Sequence, residues 1–190
     1  MVDILTEDGL PRDDTIVLTF FYLSDAPAMC EMDSDAEHRR RFEFPEEFVP
    51  SLEHSEKVIA GWTHAREEGQ FVFAVRALVN DDLLGGCDIR LLGNHVANLS
   101  YWTVPPHRAH GIASRAVALA CQIARARLGV QRVEIVIDPD NVASRCVAMR
   151  NEFREVGIRD GRILHVKDMN VLRIDPPNKT IHATCEDPLA

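Results

Sequence analysis

The chain has 190 residues, of which 46% are hydrophobic and 27% charged; this globular mix excludes a disordered chain and suits one domain. Its net charge of -9 argues against a nucleic-acid-binding surface and fits a cationic or amine-bearing partner. Five scattered cysteines, Cys30, Cys87, Cys121, Cys146 and Cys185, contain no CxxC pair, so neither a disulfide framework nor a zinc site is expected.

The acidic start carries no signal of secretion, and the longest apolar-rich run, 16–23, is too short to span a bilayer. A reducing cytoplasm is the expected compartment. Residues 15–23 (TIVLTFFYL) are rich in β-branched and aromatic types and predict a first strand. Ser24 or Asp25 caps a helix through Met29 and Met32, and the charged stretch 33–41 reads as a solvated helix face. Ser51 opens a further helix in which Leu52, Val58, Ile59 and Trp62 fall near helical spacing, ending at Gly69.

Three strands follow, over 71–79, 83–92 and 95–104, separated by the turn residues Asn80 to Asp82 and by Gly93-Asn94. Pro105 and Pro106 stop the third of these strands. After Gly111, IASRAVALACQIARARLG sets an apolar stripe against an arginine-bearing face and predicts a long amphipathic helix. Residues 132–137 (RVEIVI) form a strand. Asn141 caps the next helix, VASRCVAMR, which Asn151 ends in the left-handed conformation. Residues 162–166 and 168–174 read as final strands, and 175–190 as a tail. This order predicts one α/β domain around a single sheet with both parallel and antiparallel pairs.

The chemistry concentrates in YWTVPPHRAHGIASRAVALA. A strand ends, a short loop carries arginine and glycine, and a helix begins at once. Unpaired amides at a helix start, with the helix dipole behind them, make an anion site. Gly111 and Ala113 allow close backbone approach, and Arg108 offers a charge-assisted bond. No Gly-Lys-Ser/Thr follows and the dinucleotide glycine triplet is missing, so neither a P-loop nor a dinucleotide fold is indicated. His107 and His110 have no carboxylate or cysteine nearby and flank this loop rather than hold a metal.

The stretch 99–174 resembles the GNAT superfamily of N-acetyltransferases, and within it the branch that acetylates ribosomal-protein N-termini (RimJ/RimL-type). The family's Q/R-x-x-G-x-G/A loop stands here as Arg108-Ala109-His110-Gly111-Ile112-Ala113, and its Asp-x-x-Asn-x-x-Ser run as Asp138, Asn141 and Ser144. Its Phe-x-x-x-Gly appears as Phe153 and Gly157, and its last-strand aspartate as Asp168.

The resemblance implies a single GNAT-like domain over 1–175, with 176–190 as an extension. Its mostly antiparallel mixed sheet would be splayed at the cofactor site and flanked by helices on both faces. It implies acetyl-CoA as co-substrate, with no metal, and a primary amine as acceptor: a protein or peptide N-terminus, or a small molecule. Backbone groups of Trp102 and Val104 would hold pantetheine, residues Arg108 to Ser114 the pyrophosphate, and Asn141 would steady the cofactor arm. Ser144 would protonate the leaving thiolate.

The fourth-strand glutamate of many members is replaced, since the chain reads Asn98-Leu99-Ser100-Tyr101-Trp102. Glu134 is the first choice of base, with Asp88, His165 or a water relay as alternatives. Two other readings stay open: a non-catalytic acyl-CoA-binding module, and an antibiotic or self-immunity acetyltransferase. Neither nucleic acid nor membrane is an expected partner, and family habit allows a homodimer.

Overall fold

The computed structural model describes residues 9–169. Seven strands form one sheet: β1 Ile16–Thr19, β2 Gln70–Ala77, β3 Leu83–Gly93, β4 Val96–Thr103, β5 Arg132–Ile137, β6 Arg154–Arg159 and β7 Arg162–Asp168, in the order β1-β2-β3-β4-β5-β7-β6. Every neighbour pair is antiparallel except β4–β5. The helices are α1 Ala26–Asp33, α2 Ala36–Arg41, α3 Leu52–Ala65, α4 Ile112–Ala126 and α5 Val142–Arg150.

Strand alternation sorts the side chains into two layers. Phe73, Val75, Cys87, Ile89, Ala97, Leu99, Val133, Ile135 and Ile137 are buried with the apolar stripe of α4, from Ile112 to Ala124. On the opposite face Ala26 and Met29 of α1 and Ile59 of α3 bury against Phe21, Trp62 and Trp102. Helices therefore flank both faces, and Trp62 packs on Phe21 at 4.7 Å between ring centroids.

Several boundaries differ from the sequence reading. The first strand ends at Thr19, because Asp25 Oδ2 accepts the Tyr22 amide at 2.8 Å and draws the chain into a 3-10 turn, Leu23–Asp25. The sequence reading missed β6. It pairs with β7 through a two-residue Asp160-Gly161 turn in which both residues have positive φ, 50° and 78°, as a type I′ hairpin requires. The expected strand 168–174 lies almost wholly outside the described residues. Asn151 is not left-handed (φ −95°); its side chain bonds Val147 O and Ser114 O, and Glu152 takes the positive φ of 64° instead.

The charged stretch is not simply solvated. Arg40 and Arg41 of α2 ion-pair with Asp140 at 2.8 and 2.5 Å, and Arg41 also reaches Asp138 at 3.1 Å. Among the described residues Cys30, Cys87 and Cys121 are free.

Candidate active site

The parallel β4–β5 ladder holds for only three residue pairs: Val96 with Arg132, Ala97 with Val133 and Asn98 with Glu134. Beyond Asn98 the two strands part, while β4 stays paired with β3 through Thr103. The gap opens a cleft of about 570 Å³, within the ordinary range for a small-ligand site. Asp88, Ser100 and Tyr101 line it from β3 and β4, and Asp138, Asn141 and Ser144 from the end of β5 and the start of α5.

Backbone direction in β4 decides which residues face the gap. The Val104 amide donates to Leu84 O at 2.9 Å, so Val104 and, two residues back, Trp102 turn their polar groups toward β3. At the start of β4, His95 O accepts from Arg132 and Gln131 on the β5 side. The same parity carries Tyr101 and Thr103 toward the gap. The expected pair is thus shifted by one residue: Tyr101 and Thr103, not Trp102 and Val104, offer free strand edge there. The Trp102 ring packs in the helix layer instead, 5.8 Å from Phe21 and 6.0 Å from His38. Gly86 makes room for it, since a Cβ there would sit 2.5 Å from Trp102 Cζ2.

The loop after β4 ends in two left-handed residues, Ala109 (φ 63°) and Gly111 (φ 77°). Gly111 occupies the N-cap of α4, and nothing lies within 4 Å of where its Cβ would be, so the space outside the loop is open. The first-turn amides of Ile112, Ala113 and Ser114 have no intrahelical acceptor. His110 Nδ1 donates to Arg108 O at 2.7 Å and braces the turn. Ser114 Oγ is buried without a hydrogen-bond partner, an orphan hydroxyl beside the helix start. The Arg108 guanidinium is already engaged: Nη2 meets Asp35 Oδ1 at 2.5 Å, and this contact holds the Asp35 carboxyl below its ordinary range. The same Asp35 oxygen accepts the His38 amide and caps α2. Arg108 therefore ties the loop to α2 rather than reaching outward.

At the start of α5, Asn141 Oδ1 accepts the Ser144 amide at 3.0 Å. Ser144 Oγ lies 2.6 Å from the Tyr101 hydroxyl, which also reaches the Ser144 carbonyl oxygen at 3.2 Å. Burial raises the Tyr101 pKa to about 12, so the phenol keeps its proton at neutral pH. Sequence reading missed Tyr101; tracking which β4 side chains share the α5 face was the available signal.

The candidate bases separate clearly. Glu134 is buried and ion-paired with Arg159 at 2.7 Å, and Arg159, not Glu134, lines the cleft. Glu134 thus turns its carboxylate to Arg159 and away from the cleft lining, where the first choice of base would have to stand. His165 is buried on β7, its Nδ1 3.3 Å from Ile163 O, and does not line the cleft. Asp88 does. Its Oδ2 accepts from Gln70 Nε2 at 3.1 Å, its Oδ1 is buried without a partner, and desolvation raises its pKa, opposed by Arg90 nearby. Asp168 pairs with Arg132 and Arg154, 2.9 and 2.7 Å away, and takes no part in the cleft. Among the described residues no cluster of three or more His, Cys, Asp or Glu is placed to hold a metal.

The acetyltransferase (GNAT) domain model matches residues 15–154. The chain belongs to this family and is an acetyltransferase that takes its acetyl group from acetyl-CoA. It is similar in fold to a putative ribosomal-protein-serine acetyltransferase from Vibrio cholerae, at 21% identity over 86% of this chain and 99% of that one, TM-score 0.70. RimL, a ribosomal L7/L12 alpha-N-protein acetyltransferase solved with coenzyme A, superposes at TM-score 0.73 and 21% identity, covering 84% and 97% of the two chains. The microcin C7 self-immunity acetyltransferase MccE, solved with acetyl-CoA and AMP, gives TM-score 0.69 and 18% identity over 83% and 94%. No curated protein matches the chain in sequence.

Proposed function

We propose that this chain acetylates the α-amino group of a peptide or small molecule in the β4–β5 cleft, with Asp88 as base and Ser144 and Tyr101 as acid. The observation that carries this reading is the parting of β4 from β5 with Asp88 on one wall and the Ser144–Tyr101 pair on another. Pantetheine lies along the exposed edge of Tyr101 and Thr103. The pyrophosphate meets the amides of Ile112, Ala113 and Ser114 at the start of α4. Ala109, Gly111 and the brace from His110 shape the turn; Arg108 and Asn141 act as positioning residues, through Asp35 and the Ser144 amide respectively.

The amine nitrogen attacks the thioester carbonyl carbon. A C–N bond forms, the C–S bond breaks, and the ammonium proton passes to the Asp88 carboxylate. Ser144 gives its hydroxyl proton to the departing sulfur and recovers one from Tyr101, 2.6 Å away; the second proton that the nitrogen loses as the amide forms passes through water and reprotonates Tyr101, and Asp88 returns its proton to solvent. General acid catalysis of this kind is worth roughly 10²–10⁴ in rate. We take 1–175 as the catalytic domain, supported by the family match over 15–154. We assign the enzyme to the cytoplasm, in keeping with its use of acetyl-CoA; among the described residues no helix is long and apolar enough to cross a membrane.

The test is steady-state kinetics of Ser144→Ala and Tyr101→Phe. Both lower kcat by about 10² with little change in the KM for acetyl-CoA, and the double variant loses little more than either single one. Full kcat in either single variant contradicts the relay.

A further inference from the structure

Most charges that line the cleft cancel within the protein. Of its four arginines, Arg41 pairs with Asp138 and Asp140, Arg159 with Glu134, and Arg162 with Glu43 and Asp138. Arg90 is exposed and makes no salt bridge among the described residues, its charge acting only through space on Asp88. It stands two residues from Asp88 on β3, so both side chains leave the same face of the sheet, with Cα atoms about 6.7 Å apart. Asn98 and Ser100, their partners on β4, line the same wall. One wall of the cleft therefore carries the Asp88 carboxylate and, beside it, the Arg90 guanidinium, which acts on Asp88 through space but is held by no salt bridge among the described residues. The cleft also holds the unpaired carboxylate of Asp160, but that residue sits in the β6–β7 turn, across from this wall.

We propose that Arg90 selects acceptors that carry an anionic group, a carboxylate above all, within about two residues of the reacting amine. This rests on the reading of Asp88 as the group that receives the amine. An ammonium at Asp88 and an anion at Arg90 complement the wall together, whereas a cationic second residue would face Arg90 unshielded. The guanidinium is built to grip a carboxylate through two parallel hydrogen bonds. The acidic net charge of the whole chain suggests cationic acceptors; on this one wall the local charge of Arg90 favours an anionic group instead.

The shared chemistry has two sources: the acidic second residue of a peptide, or the side-chain carboxylate of a free amino acid. The experiment compares kcat/KM for C-terminally amidated peptides that begin Ser-Asp, Ser-Ala and Ser-Lys, and separately for free aspartate against free alanine, each with saturating acetyl-CoA. In the native protein the acidic member of at least one arm is preferred at least tenfold, and the arm that shows the preference identifies the source. Arg90→Ala collapses that ratio toward one. Arg90→Glu turns it toward Ser-Lys, a gain of function that a misfolded variant does not give. Equal kcat/KM across each arm, or a ratio unchanged in Arg90→Ala, overturns the assignment of Arg90 and leaves amine acetylation standing. Absence of thiol release with every acceptor instead sinks the acetyl-transfer reading, and this inference with it.

Discussion

Asp88 shows most directly how placement determines a residue's chemistry. Alone on a strand it is an ordinary carboxylate; beneath the parted strands it is desolvated, one oxygen has no partner, and its pKa rises. As a base it must be ionised, so activity is lost as pH falls through that raised pKa. The acid limb of kcat/KM therefore lies above the ordinary value of 3.8. Asp88→Asn removes this limb and lowers kcat by about 10²; a limb that persists unchanged in Asp88→Asn assigns the base elsewhere. The sequence named Asp88 as a candidate but ranked Glu134 above it. Nothing in RVEIVI shows that Arg159, twenty-five positions later, closes on Glu134 at 2.7 Å. Likewise Tyr101 and Ser144, forty-three positions apart, meet only because α5 starts beside the open edge of β4.

At the scale of elements, the local signals were strong wherever backbone chemistry is self-contained. The strand 132–137, the helix VASRCVAMR with its Asn141 cap and the helix that follows Gly111 appear where their sequences predict. The errors lie where long-range contacts decide. Parity along β4 is set by pairing with β3, so the edge residues were misplaced by one. Likewise β6, exposed along its length, lacks the alternation that marks a half-buried strand, although its Asp-Gly turn was visible.

One buried pair anchors the start of α1 beside its apolar contacts. Arg76 Nη2 meets Asp25 Oδ2 at 2.6 Å, its Nε donates to Thr19 Oγ1 at 2.9 Å, and its guanidinium covers the Tyr22 ring. Removing one partner of a buried pair leaves an uncompensated charge and costs about 3–5 kcal/mol. Asp25→Ala is expected to lose that much in urea unfolding, since the Tyr22 amide also loses its acceptor. A loss below about 1 kcal/mol, typical of an exposed pair, contradicts the role given to this anchor.

Across the whole molecule, α2 links the two halves of the site. Asp35 at its start holds Arg108 of the phosphate loop, and Arg40 and Arg41 at its end hold Asp138 and Asp140 ahead of Asn141 and Ser144. The run that looked like plain solvated charge thus connects the cofactor side to the acid side across the mouth of the cleft. The account's central claim is that the cleft moves acetyl from acetyl-CoA to an amine. Thiol release from acetyl-CoA, followed with and without a peptide amine and matched to mass spectrometry of the peptide, tests it most directly. The prediction is release that depends on the amine, with one acetyl group gained at the peptide N-terminus per thiol. Saturable acetyl-CoA binding without release above the amine-free rate, for peptides and small amines alike, would contradict the claim and leave a domain that binds acyl-CoA without turning it over.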